Sequence, residues 1–80
     1  MIVPIWFLGA MNLNEIVAAN LRRIRHERQL TQEELAHRAG LSSRYVGSIE
    51  RSDVSVSITI LGRLARALEI DPKDLLSPLS

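Results

Sequence analysis

Residues Gln32 to Arg51 read QEELAHRAGLSSRYVGSIER, and the punctuation of this stretch decides the fold. Thr31 just before it and Glu34 inside it form a capping box, in which a hydroxyl and a carboxylate satisfy the free N–H groups of a helix start. Leu30 and Leu35 stand in the flanking hydrophobic-staple positions. The helix so begun, Gln32 to Ala39, stops at Gly40, which takes a left-handed conformation at no steric cost. Ser42 then offers a fresh cap, and Val46 and Ile49 give the next helix an inward face as far as Glu50. Ala36 is small enough to let that helix approach. Leu35, Leu41, Val46 and Ile49 make the apolar seam, so two short helices are predicted to cross steeply over a tight turn.

The same reading extends in both directions. Asn12 and Glu15 form another capping box, with Met11 and Ile16 as its staple. Ile16, Val17, Leu21 and Ile24 recur at helical spacing, which predicts a first helix reaching about Glu27. Downstream, Ser52 to Val56 reads as a loop and Ser57 as a cap. The fourth helix carries an apolar set of Ile58, Ile60, Leu61, Leu64, Ala65 and Leu68. Asp71 followed by Pro72 opens a brief last helix that ends near Leu76, with Ile70 and Leu75 as staple and Pro78 barring continuation. No segment alternates with period two for long enough to make a strand. The fold class predicted is all-α, five short helices over residues 12–80, preceded by an extension at 1–11.

Composition narrows the function. Eighty residues hold one core, and without a cysteine that core has no disulfide, Cys-ligated zinc or thiol nucleophile to draw on. Its hydrophobic content of 46% suffices for a core, and with only Trp6, Phe7 and Tyr45 aromatic that core must be aliphatic. The formal net charge of +1 hides a gradient: Arg22 to Arg51 carries seven Arg against four Glu, a local +3, while Ser52 onward is slightly acidic. Arginine suits planar contacts to phosphate or guanine, although a solvated helix surface carries such charges equally well. His26 and His37 have no Cys or carboxylate at metal spacing and read as surface residues. No Gly-rich phosphate loop follows a strand, and capping accounts for the serines. No catalytic residue, metal or cofactor is therefore expected, and no enzyme.

The first eleven residues, MIVPIWFLGAM, are apolar and uncharged. They are too few to span a membrane and lack the basic region and cleavage site of a secretory signal. Three readings stay open: an extension upstream of a true start at Met11, an arm that packs on a partner subunit, or a segment that touches a membrane.

Leu30-Thr31-Gln32-Glu33-Glu34-Leu35-Ala36, Gly40, Ile49-Glu50-Arg51, Leu64-Ala65-Arg66-Ala67-Leu68 and Asp74-Leu75-Leu76 together resemble the Cro and lambda-repressor-like, or XRE, family of helix-turn-helix proteins. The similarity runs from about Leu21 to Leu76 without a gap. It implies a five-helix lambda-repressor-like domain that binds double-stranded DNA as a transcriptional regulator. In that arrangement the third helix enters the major groove, the groove whose edges distinguish all four base pairs.

With Val46 and Ile49 inward, the outward positions of the third helix are Ser43, Arg44, Gly47 and Ser48, with Tyr45 to one side. The resemblance places Ser43, Arg44 and Ser48 on base-reading positions. Arg44 is the strongest, since its fork matches guanine O6 and N7, with a phosphate contact as its alternative. Gly47 would allow close approach to the groove. The family's phosphate-contacting Gln falls on Gln32, whose helix N-terminus also favours an anion. Ser42, Tyr45 and Arg51 are the other phosphate candidates, while Arg22, Arg23, Arg28 and Arg38 read as long-range attraction or plain surface. Arg25 and Glu50 match a pair that bridges the first and third helices.

The chain departs from the family pattern at Ser52, where Gly is usual, at Asp53, where a base is usual, at Ser55-Val56-Ser57, and at Gly62, where Leu is usual. Asp53 would repel phosphate; Gly62 either admits a second copy of helix four or merely weakens that helix. One recognition helix reads few base pairs, so a homodimer on a pseudo-palindrome is expected, with half-site centres ~10 bp apart. Ile60, Leu61, Leu75 and Leu79 are the candidate dimer contacts. No sensor domain, small-molecule ligand or membrane partner is expected, which is similar to a stand-alone, cytoplasmic controller protein. The rival is an interaction module, antitoxin-like or antiactivator-like, that uses the same fold to bind a protein.

Overall fold

A computed structural model describes residues 12–78. Five helices follow in order: α1 Leu13–Glu27, α2 Gln32–Ala39, α3 Ser43–Glu50, α4 Ile58–Leu68 and α5 Lys73–Leu76. No strand occurs among the described residues. The expectations that fall on residues 1–11 and on Leu79, the Met11 staple included, lie outside the described residues.

Each of the first four helices begins as its cap residue dictates. Asn12 and Thr31 close full capping boxes with Glu15 and Glu34. Ser42 and Ser57 each accept a backbone N–H three residues on, from Tyr45 and Ile60. For α5, Pro72 is already helical, and the cap is the Asp71 side chain, which accepts the Lys73 N–H at 3.0 Å.

The first four helices also end alike. Leu30, Leu41, Asp53 and Ile70 each donate their N–H to the carbonyl five residues back, at Arg25, Ala36, Ser48 and Ala65. This closure puts the preceding residue in the left-handed region. Gly40 occupies it at φ +70, but Gln29, Ser52 and Glu69 adopt it as well, at φ 57, 62 and 59. Three of the four stops were therefore invisible as glycines.

Leu21, Leu35, Val46, Ile49, Leu64, Leu68 and Leu75 are almost wholly excluded from solvent and form the aliphatic core. Full burial of each such side chain is worth roughly 1.5–3 kcal/mol, which is how so small a domain holds without a staple. α2 packs on α3 and α4, while α1 spans the back of α3 and carries α5. The fixing of α5 is polar: buried Asn20 on α1 donates to the carbonyls of Leu75 and Ser77 at 3.0 and 2.8 Å.

Two expectations need correction. Leu75 is 0% exposed and belongs to the core, so it is unavailable to a partner. The Asn20 bonds turn α5 so that Leu75 points under α1 and the neighbouring Leu76 points out. Ile58, counted with the apolar set of α4, is 88% exposed. It is the first residue of that helix, beyond the reach of the elements that cover Leu64, Ala65 and Leu68.

Candidate nucleic-acid interface

Ser42 caps α3, and the burial of Val46 and Ile49 sets its rotation. That rotation exposes Arg44 and leaves Ser43, Tyr45 and Ser48 half-buried. Ser42 is exposed, but its hydroxyl is engaged by the Tyr45 N–H at 3.0 Å. Tyr45 rests its ring side on the core. Gly47 differs from the outward reading: it is buried, and the side chains of Arg51 and Gln32 lie over it.

The inner end of α3 is gripped by a network centred on Glu50. Arg25 donates through Nε to Glu50 Oε2 at 2.6 Å and through Nη2 to Oε1 at 3.0 Å. Its remaining nitrogen, Nη1, donates to the Leu30 carbonyl at 2.7 Å. Gln32 Nε2 adds a bond to Glu50 Oε1 at 3.0 Å, tying the start of α2 to the end of α3. Arg22 donates to the Glu50 carbonyl at 2.8 Å, a fixed structural contact that charge counting did not suggest. Burial pushes the Glu50 carboxyl up, but the bonds from Arg25 and Gln32 and the charges of Arg25 and Arg22 together hold it below the ordinary glutamate value. The carboxylate therefore stays ionised, and the fork of Arg25 fixes its plane.

Gln32 thus has two roles in one side chain. One amide N–H is committed to Glu50, which leaves the other free at the N-terminus of an eight-residue helix. Arg51 follows α3 as an exposed side chain, donating to Asp53 at 3.0 Å and weakly to the Ser48 hydroxyl at 3.4 Å. Asp53, the acidic departure in the loop, therefore pairs with Arg51 at the surface rather than standing alone.

Arg63 is a further residue that sequence reasoning missed. From α4 its Nε donates to the Ala39 carbonyl at 3.0 Å and its Nη2 to the Gly40 carbonyl at 2.7 Å. It satisfies the end of α2 and braces the turn that sets α3. The signal was faint, since an Arg on a helix of mixed polarity gives no hint of which carbonyl it will meet.

Of the candidate dimer contacts, Ile60 and Leu61 are half-buried against the core. The exposed large hydrophobics among the described residues are instead Leu13, Ile58 and Leu76. All three line one groove of about 360 Å³, together with Val17, Val56 and Leu61. His26 and His37 are exposed, and no group of three metal-ligating side chains occurs among the described residues. No described helix is long and apolar enough to cross a membrane.

An all-helical domain with a short helix, a braced left-handed turn and a second helix presented on its surface defines a helix-turn-helix domain. The helix-turn-helix family profile matches residues 21–75, and the chain belongs to that family. Control protein C.SmaI of Serratia marcescens is 40% identical over 67 residues, covering 84% of this chain and 80% of its own. An uncharacterized HTH-type transcriptional regulator of Sinorhizobium fredii, y4dJ, is 37% identical over 68 residues, covering 85% of this chain and 88% of its own. Among solved structures, the restriction-modification controller protein C.AhdI of Aeromonas hydrophila superposes with a TM-score of 0.76 at 39% identity, over 78% of this chain and 94% of that one. The XRE resemblance read from the sequence holds, and these relatives are regulators and controller proteins rather than enzymes.

Proposed function

We propose that this chain is a controller-type transcriptional regulator that reads a pseudo-palindromic operator as a homodimer, with α3 in the major groove. The observation that carries the proposal is the pairing of an exposed Arg44 with a rigid back to the same helix. Val46 and Ile49 are buried, and the Glu50 network leaves α3 no freedom to turn. Ser43 and Ser48 flank Arg44 as secondary base readers. Gln32, with the free N–H groups of its helix start, and Arg51 contact the phosphates that set the register. Ser42 and Tyr45 lie at the edge of the same surface as further phosphate contacts. The protein would act in the cytoplasm of a bacterium or of a phage-infected cell, where its operator is.

The groove lined by Leu13, Ile58 and Leu76 supports the homodimer, with a second copy as its occupant. One reading helix covers few base pairs, and a second copy on the neighbouring half-site supplies the missing contacts. Ile58→Asp removes no core packing, so it should fold normally and sediment as a monomer where the parent chain is a dimer.

The deciding experiment titrates salt against binding to the DNA upstream of the protein's own gene. Several phosphate contacts predict a steep linear fall of log affinity with log salt, by about 0.9 per phosphate neutralised. Absence of any shift at low salt would overturn the proposal and favour the rival, a module that binds a protein partner through the same fold.

A further inference from the structure

Gly47 is a glycine in the middle of α3, where neither a cap nor a turn calls for one. Glycine inside a helix is less favourable than alanine, and this helix is only eight residues long. Its φ is not left-handed, so no turn requires it. What does require it is lateral. A Cβ at this position would stand 3.2 Å from Arg51 Nη1, 3.4 Å from Gln32 Oε1 and 3.8 Å from Gln32 Nε2. The missing side chain thus leaves a floor over which both the Gln32 side chain of α2 and the Arg51 side chain at the end of α3 lie.

We infer that Gly47 is a positioning residue: it seats the Arg51 guanidinium beside the Gln32 amide so that the two act as one clamp on a single DNA phosphate. The inference rests on the DNA-binding reading and deepens it. Each half of the clamp is restrained from behind. Gln32 is fixed by its bond to Glu50, and the exposed Arg51 is steered along α3 by Asp53 and, weakly, by Ser48. The Asp53 carboxylate fills one edge of the guanidinium and leaves Nη1, the nitrogen over Gly47, on the Gln32 side. A phosphate there can take one donor from a charged fork and one from an amide, the kind of contact that fixes register without reading sequence. A methyl group at position 47 presses on Arg51 Nη1 and shifts the guanidinium off this seat, while Gln32 keeps its bond to Glu50.

The test is a double-mutant cycle on a duplex the parent chain binds, with thermal melting of every variant alongside. Gly47→Ala should melt at or above the parent and yet bind severalfold more weakly. Arg51→Ala should lose about tenfold, the worth of one charge-assisted contact, with the salt slope shallower by about one phosphate. In the Arg51→Ala background, Gly47→Ala should cost nothing further, because the seat it spoils is already empty. Undiminished binding by Gly47→Ala overturns the inference. So does an equal loss with and without Arg51, which would assign Gly47 to close approach of the helix backbone to the groove instead. A lowered melting midpoint that accounts for the weaker binding overturns it as well. A parent chain that binds no duplex removes the DNA reading itself, and that failure is told apart by being visible before any variant is made.

Discussion

Arg63 on α4 and Gly40 at the turn between α2 and α3 are locked together: Nη2 of the arginine donates to the glycine carbonyl at 2.7 Å, across 23 residues of chain. The contact leaves no room on the other side of the glycine. A Cβ built at Gly40 would lie 2.6 Å from the same Nη2, and the backbone there has φ +70. Glycine thus spares the turn two costs, the left-handed strain that Gln29, Ser52 and Glu69 bear elsewhere and a displacement of the arginine tip that braces it.

Gly40→Ala is expected to destabilise the fold by about 1–3 kcal/mol, combining left-handed strain with displacement of Arg63. Arg63→Ala alone should cost about 1 kcal/mol, as two helix-end carbonyls lose their donor to solvent. Urea denaturation of the pair should give less than the sum, since the clash disappears with Arg63 while the backbone strain remains. Strict additivity would show that the arginine does not press on the turn.

Acid should weaken this protein through Glu50. Its carboxyl sits below the ordinary glutamate value in the folded state, so its ionised form contributes stability in full above that value. That contribution is lost as pH falls through the lower, folded value. Glu34 behaves similarly, held down first by the Thr31 backbone N–H, and contributes its own share. Arg25→Met isolates Glu50. It should cost about 3–5 kcal/mol near neutral pH, because a buried carboxylate is left without its cation. With Arg25 gone, burial dominates and Glu50 binds a proton more readily when folded. The gap between variant and parent should then narrow as pH falls, which denaturation curves at several pH values will show.

Ser52 holds a left-handed conformation, φ 62, at the end of α3. Ser52→Gly should raise stability by about 1 kcal/mol, since glycine adopts this conformation without the Cβ clash. The gain should come as a shift in urea midpoint with no change in slope. A destabilised glycine variant would mean that the serine side chain contributes more than its backbone costs.

Arg44→Ala and Gln32→Ala should weaken DNA binding in different ways. Loss of a base-reading fork is expected to cost about 1–3 kcal/mol on the operator and little on random duplex, relaxing preference at one base pair. Loss of Gln32 should weaken both duplexes alike, with added loss of stability because Glu50 surrenders a bond. Equal losses on both duplexes for Arg44→Ala would move that residue to the phosphate backbone.

Local chemistry made much of this legible. Asn12, Thr31, Ser42 and Ser57 each announce a helix start because a cap acts within three residues, and every one of them caps as its sequence context implies. Helix ends were less visible: the closures at Gln29, Ser52 and Glu69 use residues that carry no mark of a left-handed conformation. Leu75, expected at a partner surface, is buried, and Ile58, one of the apolar set of α4, is exposed, for a related reason. Periodicity tells which face of a helix is apolar, but not how far the neighbouring helix extends to cover it.

The candidate interface divides along the same line. The sequence by itself determined the five helices, the tight turn at Gly40 and the exposure of Arg44, because each follows from residues within a turn or two of one another. Only the tertiary structure decided what those residues lean on: Arg63 reaching the end of α2, Gln32 and Arg22 joining Arg25 around Glu50, and Arg51 lying over Gly47 against Asp53. Long polar side chains choose their partners by geometry across the fold, and several carbonyls or carboxylates would satisfy each of them equally well. Until the helices are packed, nothing in the order of the residues says which one is within reach.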